Sequence, residues 1–160
     1  MRREQKFAIT VLILGAVVAA PFLTGKLIIN VSPSVPVGLW LKIEGEIKCG
    51  DIVQVPFDAF KSTEWVPEEY YRKSFWGNNV PFLKRVAGLP GDKIENLPDG
   101  FLALSHDGLG NELKAYPLPV ILESDEVWLM SDAERGFDSR YLGPAKFSKC
   151  HKVIKILTKN

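Results

Sequence analysis

The sequence has few of the residues on which metal sites depend. It contains two cysteines, Cys49 and Cys150, and two histidines, His106 and His151. The cysteine spacing fits no metal-binding motif, and two isolated histidines are too few for a metal site. We therefore expect neither a metal nor another cofactor. If the chain lies in an oxidising compartment, Cys49 and Cys150 can form a disulfide or remain free thiols, and the sequence leaves both alternatives open.

Two common catalytic motifs are missing as well. No Gly-x-Ser-x-Gly nucleophile elbow is present, and both histidines are better interpreted as surface residues, His106 in a loop and His151 at the start of the last strand. This argues against a serine–histidine–acid triad. The Gly88-x-x-Gly91 spacing is too short for a phosphate-binding loop and predicts a β-turn.

The main part of the chain carries no excess of positive charge. Residues 1–26 hold four Lys or Arg and one Asp or Glu, a net charge of +3, which leaves 16 basic and 18 acidic residues for the remainder. The remainder is therefore slightly acidic. This composition argues against a nucleic-acid partner.

An uncharged segment stands near the N-terminus. Residues 7–25 form a run of 19 residues between Lys6 and Lys26. As a helix the run measures about 28 Å, close to the ~30 Å hydrocarbon core of a bilayer. The basic residues before it place residues 1–6 in the cytoplasm and residues 27–160 on the other side of the membrane. We therefore expect a single-pass anchor and an extracytoplasmic domain.

A cleavable signal peptide is the alternative interpretation of this run. Small residues precede Pro21, but a proline directly after the cut would obstruct cleavage, and the run is longer than a typical signal core. The sequence therefore favours an uncleaved anchor with the lipid bilayer as a partner.

The remaining chain alternates short apolar runs with Gly and Pro turns, which is typical of β structure. Little helix is expected, so the pattern predicts one folded-over, mostly antiparallel β domain. The predicted strands are residues 39–43, 52–55, 80–87, 93–95, 101–104, 126–130 and 152–157, and the one predicted helix is residues 64–73.

Two adjacent cations interrupt the apolar strand 80–87. Neighbouring residues of a strand point to opposite faces, so either Lys84 or Arg85 points inward. A desolvated lysine can act as a general base near neutral pH, whereas arginine keeps its charge. Ser34, in a loop stiffened by Pro33 and Pro36, offers a nucleophile. A lysine that blocks pairing at a sheet edge is the alternative.

Several blocks together resemble the type I signal peptidases, membrane-anchored serine/lysine peptidases, in that family's order. The resemblance covers about residues 5–157, and the chain is most similar to the conjugative-transfer subgroup, the TraF type, because its first block reads Asn-x-Ser-x-Ser-x-Pro-x-Gly-Leu-Trp. The blocks are residues 32–40, 50–53, 84–92, and 131–132 with 138–144.

The resemblance implies the family's β fold and a set of site residues. Ser34 matches the nucleophile and Lys84 the general base. Ser32 matches the serine whose hydroxyl helps the Ser34 N–H hold the oxyanion, and such donors are typically worth ~3 kcal/mol in the transition state. Asp138 and Arg140 match the acidic–basic pair that supports the site.

One position departs from the family pattern. General signal peptidases place a serine that orients the lysine two residues before the aspartate, where this chain has Gly136. The lysine must then be oriented by another group, and the sequence offers Asp138 or Ser139.

The resemblance implies a membrane-anchored endopeptidase that cuts the leader of an exported precursor, with a conjugative pilin as substrate. Some members of the subgroup also join the ends of the pilin into a circle, and the sequence leaves cutting alone and cutting with cyclisation open. Self-cleaving repressors share the catalytic β fold, but they need a DNA-binding helix-turn-helix. A catalytically silent, membrane-anchored assembly factor is the other alternative, against which the presence of Ser34 and Lys84 argues.

Overall fold

The structure, a computed structural model, describes residues 2–66, 71, 80–98, 100–107 and 110–158. Short 3-10 turns at Phe57–Ala59 and Phe147–Lys149 join some of its elements. The helices and strands of the described part are α1 (Arg3–Leu23), β1 (Leu27–Asn30), β2 (Gly38–Lys42), β3 (Ile52–Val55), β4 (Phe82–Gly88), β5 (Lys93–Ile94), β6 (Val120–Ile121), β7 (Glu126–Met130), α2 (Ser139–Leu142), β8 (Ala145–Lys146) and β9 (His151–Thr158).

Seven of these strands form one antiparallel sheet in the order β1-β2-β9-β3-β4-β7-β8, and β5 pairs with β6 separately. The last strand, β9, lies between β2 and β3, so the C-terminal segment joins the two N-terminal hairpin strands to the rest of the sheet. Strand β4 lies between β3 and β7. Lys84 is therefore on an interior strand, and the sheet-edge interpretation of this lysine is wrong.

Apolar side chains cover both faces of β4. Successive side chains of a strand point to opposite faces, so Leu83 and Val86 lie on different sides of the sheet. Leu83 packs in a cluster with Val35, Trp40, Ile52 and Val153, whereas Val86 belongs to a larger cluster that also contains Val53, Val55, Val127 and Leu129. This cover on both sides is what removes water from a polar side chain on β4.

The prediction of a mostly antiparallel β domain is confirmed. Strands 52–55 and 126–130 have the predicted bounds. Strand β1 is not among the predicted strands, because its four residues directly follow the long apolar run and show no separate pattern. The helix predicted for residues 64–73 lies for the most part outside the described residues.

The strand predicted for residues 101–104 is wrong. Its backbone groups bond side chains instead of a neighbouring strand: the Leu104 N–H donates to the Tyr141 hydroxyl at 2.9 Å, and the Leu102 carbonyl accepts from Arg140 Nη1 at 3.1 Å. The apolar pattern of this segment is therefore satisfied by packing against α2 and not by sheet pairing.

Helix α1 covers residues 7–23 of the uncharged run and ends at Leu23. Gly25 follows it two residues later with a φ of 66°, a left-handed conformation that favours glycine. Many of its apolar side chains are exposed, among them Phe7 at 73 % and Leu12 at 72 %. Over the residues that the structure describes, no helix has both the length and the apolar character needed to cross a bilayer. This finding does not support the transmembrane span predicted for residues 7–25.

Both cysteines are free thiols in the structure, Cys49 exposed and Cys150 buried. Burial raises the pKa of the Cys150 thiol to about 12, with a further contribution from the charge of Asp125. Of the two alternatives that the sequence left open, the structure shows free thiols.

Candidate active site

The loop of residues 31–37 connects β1 to β2, and one buried side chain holds it in shape. The Asn30 amide nitrogen donates to the carbonyl oxygens of Ser32, Val35 and Pro36 at 2.8, 3.0 and 3.2 Å, and the Asn30 Oδ1 accepts from the Ser32 N–H at 3.1 Å. These bonds satisfy backbone groups for which a tight loop offers no strand partner. Asn30 thus fixes the backbone that carries the candidate nucleophile.

Three predicted site residues form a continuous hydrogen-bonded row. The Lys84 Nζ lies 3.2 Å from the Ser34 Oγ, and the Ser32 Oγ lies 2.9 Å from the Ser34 Oγ. The Ser34 N–H donates to the Ser32 Oγ at 3.2 Å. A hydroxyl that contacts an amine on one side and a second hydroxyl on the other can lose its proton to the amine while its oxygen stays hydrogen-bonded.

Lys84 is the inward-pointing member of the cation pair. It is 2 % exposed, and it stands opposite Val53 of β3, which has no exposure. Its Nζ lies 5.5 Å from the centre of the Phe82 ring. Arg85, on the opposite face, keeps 42 % of its side chain exposed. The amine is therefore surrounded by apolar groups on the side away from Ser34.

This burial lowers the pKa of Lys84 from 10.5 to about 8. The carboxylates of Asp138 and Asp132 raise the pKa and the Arg140 guanidinium lowers it, but the loss of hydration outweighs these charges. At a pKa near 8, about one amine in ten is neutral at pH 7. A buried lysine of this kind can serve as a general base under ordinary conditions.

The carbonyl of Ser34 is fixed from the segment that follows β7. The Asp132 N–H donates to the Ser34 oxygen at 2.7 Å, and the Ser131 hydroxyl donates to the same oxygen at 3.2 Å. Asp132 is in turn held by Arg85, whose Nε and Nη2 each lie 2.7 Å from a carboxylate oxygen. Arg85 therefore supports the nucleophile from outside while its neighbour Lys84 approaches it from inside.

Asp138 and Arg140 lie behind the row and are fully buried as an ion pair, with the Arg140 Nη2 at 2.8 Å from the Asp138 Oδ2. The Asp138 Oδ2 also accepts from the Ser131 N–H at 2.8 Å. Ser139, the other group considered for orienting the lysine, accepts the Leu129 N–H at 2.9 Å through its hydroxyl. Asp138 thus holds the residue that follows β7, and Ser139 holds β7 itself. Neither has a hydrogen bond to Lys84 among the described contacts.

A cleft of about 310 Å³ opens over the serine–lysine pair. Its walls are mostly apolar, so it suits an extended peptide with apolar side chains. A second cleft of about 310 Å³ shares Phe137 with the first and contains His106. The first cleft is lined by residues 28–34 of the loop side, by residues 80–84 of the β4 side and by Phe137.

Asn30 and Ser131 lie in the blocks that carry the family resemblance, but the sequence assigns neither of them a role in the site. An asparagine that ends an apolar strand before a Ser- and Pro-rich loop is a signal for a side chain that bonds the loop backbone. Ser131 has no such local signal, because its partners come from distant parts of the chain. Within the described ranges, no cluster of three or more His, Cys, Asp or Glu residues is placed to hold a metal ion.

The sequence matches a known family over most of its length. The family described as "Signal peptidase, peptidase S26" matches residues 2–116, a range that includes Ser32, Ser34 and Lys84. The chain belongs to this family. The signal peptidase match ends before Ser131, Asp138 and Arg140.

Relatives of this chain have names that refer to conjugation. The chain is 32 % identical over 149 residues, 84 % of this chain and 77 % of the relative, to a "Probable conjugal transfer protein TraF" of Sinorhizobium fredii (strain NBRC 101917 / NGR234). It is 31 % identical over 137 residues, 76 % of each protein, to a "Conjugal transfer protein TraF" of Agrobacterium fabrum (strain C58 / ATCC 33970). The predicted resemblance to type I signal peptidases of the TraF type is confirmed.

Proposed function

We propose that the protein is a serine/lysine endopeptidase that removes the signal or leader segment of an exported precursor. The observation that carries this proposal is the 3.2 Å contact between the Ser34 Oγ and the Nζ of Lys84, a lysine that is 2 % exposed. Membership of the signal peptidase family supports it. A buried charged lysine is normally paired with a carboxylate, whereas the hydrogen-bond partner described for Lys84 is a hydroxyl, which suits a neutral amine.

In the first step of the proposed reaction, neutral Lys84 accepts the hydroxyl proton of Ser34 while the Ser34 Oγ attacks the carbonyl carbon of the scissile peptide bond. The charge that develops on the peptide oxygen needs two donors. The Ser34 N–H and the Ser32 hydroxyl supply them, once both turn from each other toward the substrate. The 2.9 and 3.2 Å contacts of Ser32 support this assignment, because its hydroxyl is close to both the Ser34 Oγ and the Ser34 N–H.

In the second step, protonated Lys84 returns its proton to the nitrogen of the leaving peptide, the C–N bond breaks, and an ester forms between the precursor and Ser34. Water then attacks the ester, with Lys84 again as the base. The acyl group of this ester is the part of the precursor that precedes the cut. A circular pilin therefore needs a cut that releases a carboxyl-terminal segment, after which the amino terminus of the pilin attacks the ester in place of water and no water is consumed. After the removal of an amino-terminal leader, the ester holds the leader and water releases it.

The proposed substrate is a pilin precursor of a conjugation system. The relatives named as conjugal transfer proteins support this choice. The cleft between residues 28–34 and residues 80–84 would hold the precursor as an extended strand, with small or apolar side chains before the cut.

The proposed site of action is the outer face of the bacterial inner membrane, with α1 as the attachment. Exposed apolar side chains of α1 support this, and so do the basic residues at its start. The apolar surface continues onto the sheet, where Ile29 and Leu157 are 64 % and 69 % exposed and flank Leu39 on three adjacent strands. Ser34 follows β1 by four residues, so attachment through α1 keeps the site near the bilayer.

Extraction of membranes tests this attachment. Removal of the protein by high salt would show a charge-based surface contact, extraction only by detergent would show insertion of α1 into the bilayer, and recovery in the soluble fraction would contradict the attachment. A variant with Leu12→Glu and Leu14→Glu, both in exposed positions of α1, should be released from membranes and keep its folded β domain.

Cleavage of a candidate pilin precursor, followed by mass spectrometry, tests the reaction. Ser34→Ala and Lys84→Met should each abolish cleavage and leave the fold intact, while Ser105→Ala and Lys48→Ala, both exposed, should cleave as the wild type does. A product lighter by one water than the linear peptide marks the circle. Near-normal cleavage by Lys84→Met would overturn the mechanism, and a wild type that binds the precursor without cutting it would be the silent assembly factor.

A further inference from the structure

Gly136 has no room for a side chain. A Cβ atom placed on Gly136 would lie 2.0 Å from the Cβ and 2.3 Å from the Oγ of Ser131, and 3.0 Å from the Ala133 carbonyl oxygen. Contacts below 3.0 Å require that something move, and here the nearest atom is the rigid first carbon of a buried serine. The space that a side chain at position 136 would use is therefore filled by Ser131.

Ser131 stands at the end of β7 and is 1 % exposed. Its hydroxyl donates to the Ser34 carbonyl oxygen at 3.2 Å and accepts the Ala133 N–H at 3.3 Å. Its own N–H donates to the buried Asp138 carboxylate at 2.8 Å. Ser131 thus connects the loop that carries the nucleophile with the buried ion pair behind the site.

We propose that Ser131 is the positioning residue of the Ser34–Lys84 pair, and that it supplies from the end of β7 the hydroxyl that position 136 lacks. It acts on the nucleophile side: its hydroxyl fixes the carbonyl of Ser34 and, through it, the direction in which the Ser34 Oγ meets the Lys84 Nζ. This inference rests on the proposed peptidase function.

The neighbouring contacts explain why one hydroxyl matters here. The Ser34 carbonyl has two described donors, the Ser131 hydroxyl and the Asp132 N–H. With the hydroxyl gone, a single bond remains, and the peptide unit can turn about it. A displacement of about 1 Å between reacting groups can lower a rate about 100-fold. The effect should fall on kcat, because Ser131 is not among the residues that line the substrate cleft.

Four variants measured together test the proposal: Ser131→Ala, Ser131→Gly, Gly136→Ser, and the double variant Ser131→Gly with Gly136→Ser. We expect Ser131→Ala to lower kcat between about tenfold and 100-fold with KM unchanged. Gly136→Ser alone should lower both the melting temperature and kcat, because its Cβ meets Ser131. In the double variant the serine at 136 enters the vacated space, and kcat should recover to within a few-fold of the wild type.

Ser139→Ala is the matched control, because Ser139 is also buried and its hydroxyl also bonds a backbone group, the Leu129 N–H. It should lower the melting temperature and leave kcat of the folded protein unchanged. The inference is overturned if Ser131→Ala has the kcat of the wild type, if Ser139→Ala loses as much kcat, or if the double variant is no better than Gly136→Ser. Failure of the peptidase function would instead appear as a wild type without Ser34-dependent cleavage.

Discussion

The Asp138 carboxylate accepts hydrogen bonds from two side-chain nitrogens of Arg140, Nε at 2.9 Å and Nη2 at 2.8 Å, with both side chains fully buried. The Arg140 N–H also donates to the Asp138 Oδ1 at 3.1 Å, so the aspartate caps α2. The remaining donors of the guanidinium bond backbone carbonyls, including that of Gly136 at 2.7 Å. This pair therefore folds the segment that carries Ser131.

Removal of either partner of this pair should destabilise the protein strongly. We expect Asp138→Asn and Arg140→Met each to lower the free energy of unfolding by about 3–5 kcal/mol, because the remaining charge stays buried without its partner. Urea denaturation measures the effect. The matched control is Lys149→Met, which breaks the exposed pair with Asp58 and should cost under about 1 kcal/mol. A loss of that small size in the Asp138 or Arg140 variants would contradict the structural role.

The activity should depend on the protonation of Lys84. Because burial places the pKa of this amine at about 8, only the neutral fraction can accept the Ser34 proton. We expect kcat/KM to rise about tenfold per pH unit below pH 8 and to level off above it. Initial rates between pH 6 and pH 9.5 measure the profile. A rate that stays constant across this range would show that Lys84 is not the base.

The same amine makes stability depend on pH. The pKa of Lys84 is 10.5 before burial and about 8 in the folded protein, so between these values the unfolded chain binds more protons and stability rises with pH. Below pH 8 both states hold the proton and the full cost of burying the charge remains. We expect the wild type to gain up to about 3 kcal/mol over this window relative to Lys84→Met. The measurement is the free energy of unfolding of the wild type and of Lys84→Met as a function of pH. If the two curves run parallel, the lowered pKa of Lys84 is contradicted.

Asn30 should matter for the rate although it lies outside the reacting groups. Asn30→Asp replaces the donating amide with a carboxylate that faces three carbonyl oxygens, so the loop should lose its shape. We expect a fall in kcat of tenfold or more, since the position of Ser34 depends on this loop. Asn111→Ala, which removes a side-chain bond to Asp107 in another loop, is the control. Equal rates in the two variants would exclude the positioning role of Asn30.

Sequence reasoning succeeds here where a local pattern carries the information. The alternation of a strand shows that one of two adjacent cations points inward. Lys84, which can lose its charge, is that one, while Arg85 lies on the other face in an ion pair that is partly exposed. The strands with two buried faces, 52–55 and 126–130, are apolar enough to be found with their bounds. The contact between Ser32 and Ser34 can be expected from the sequence, because both residues lie in one short loop.

The features that sequence reasoning misses depend on residues far apart in the chain. Residues 101–104 have a strand-like pattern, but side chains of Arg140 and Tyr141 take the backbone bonds that a strand would use. The sequence shows that Gly136 departs from the family pattern, but only the packing shows that Ser131 fills the space of a side chain at position 136.

The bond between the Ser34 N–H and the Ser32 Oγ has a consequence for inhibition. In the free protein the N–H that would donate to an oxyanion already has an acceptor, so this donor is satisfied before a ligand binds. Any ligand that offers an oxygen there exchanges one hydrogen bond for another. The gain in binding free energy is therefore only the difference between a hydrogen bond to a charged acceptor and one to a neutral acceptor. A boronate or an aldehyde, which becomes anionic on Ser34, should profit from this exchange, whereas a neutral amide of the same shape should gain almost nothing.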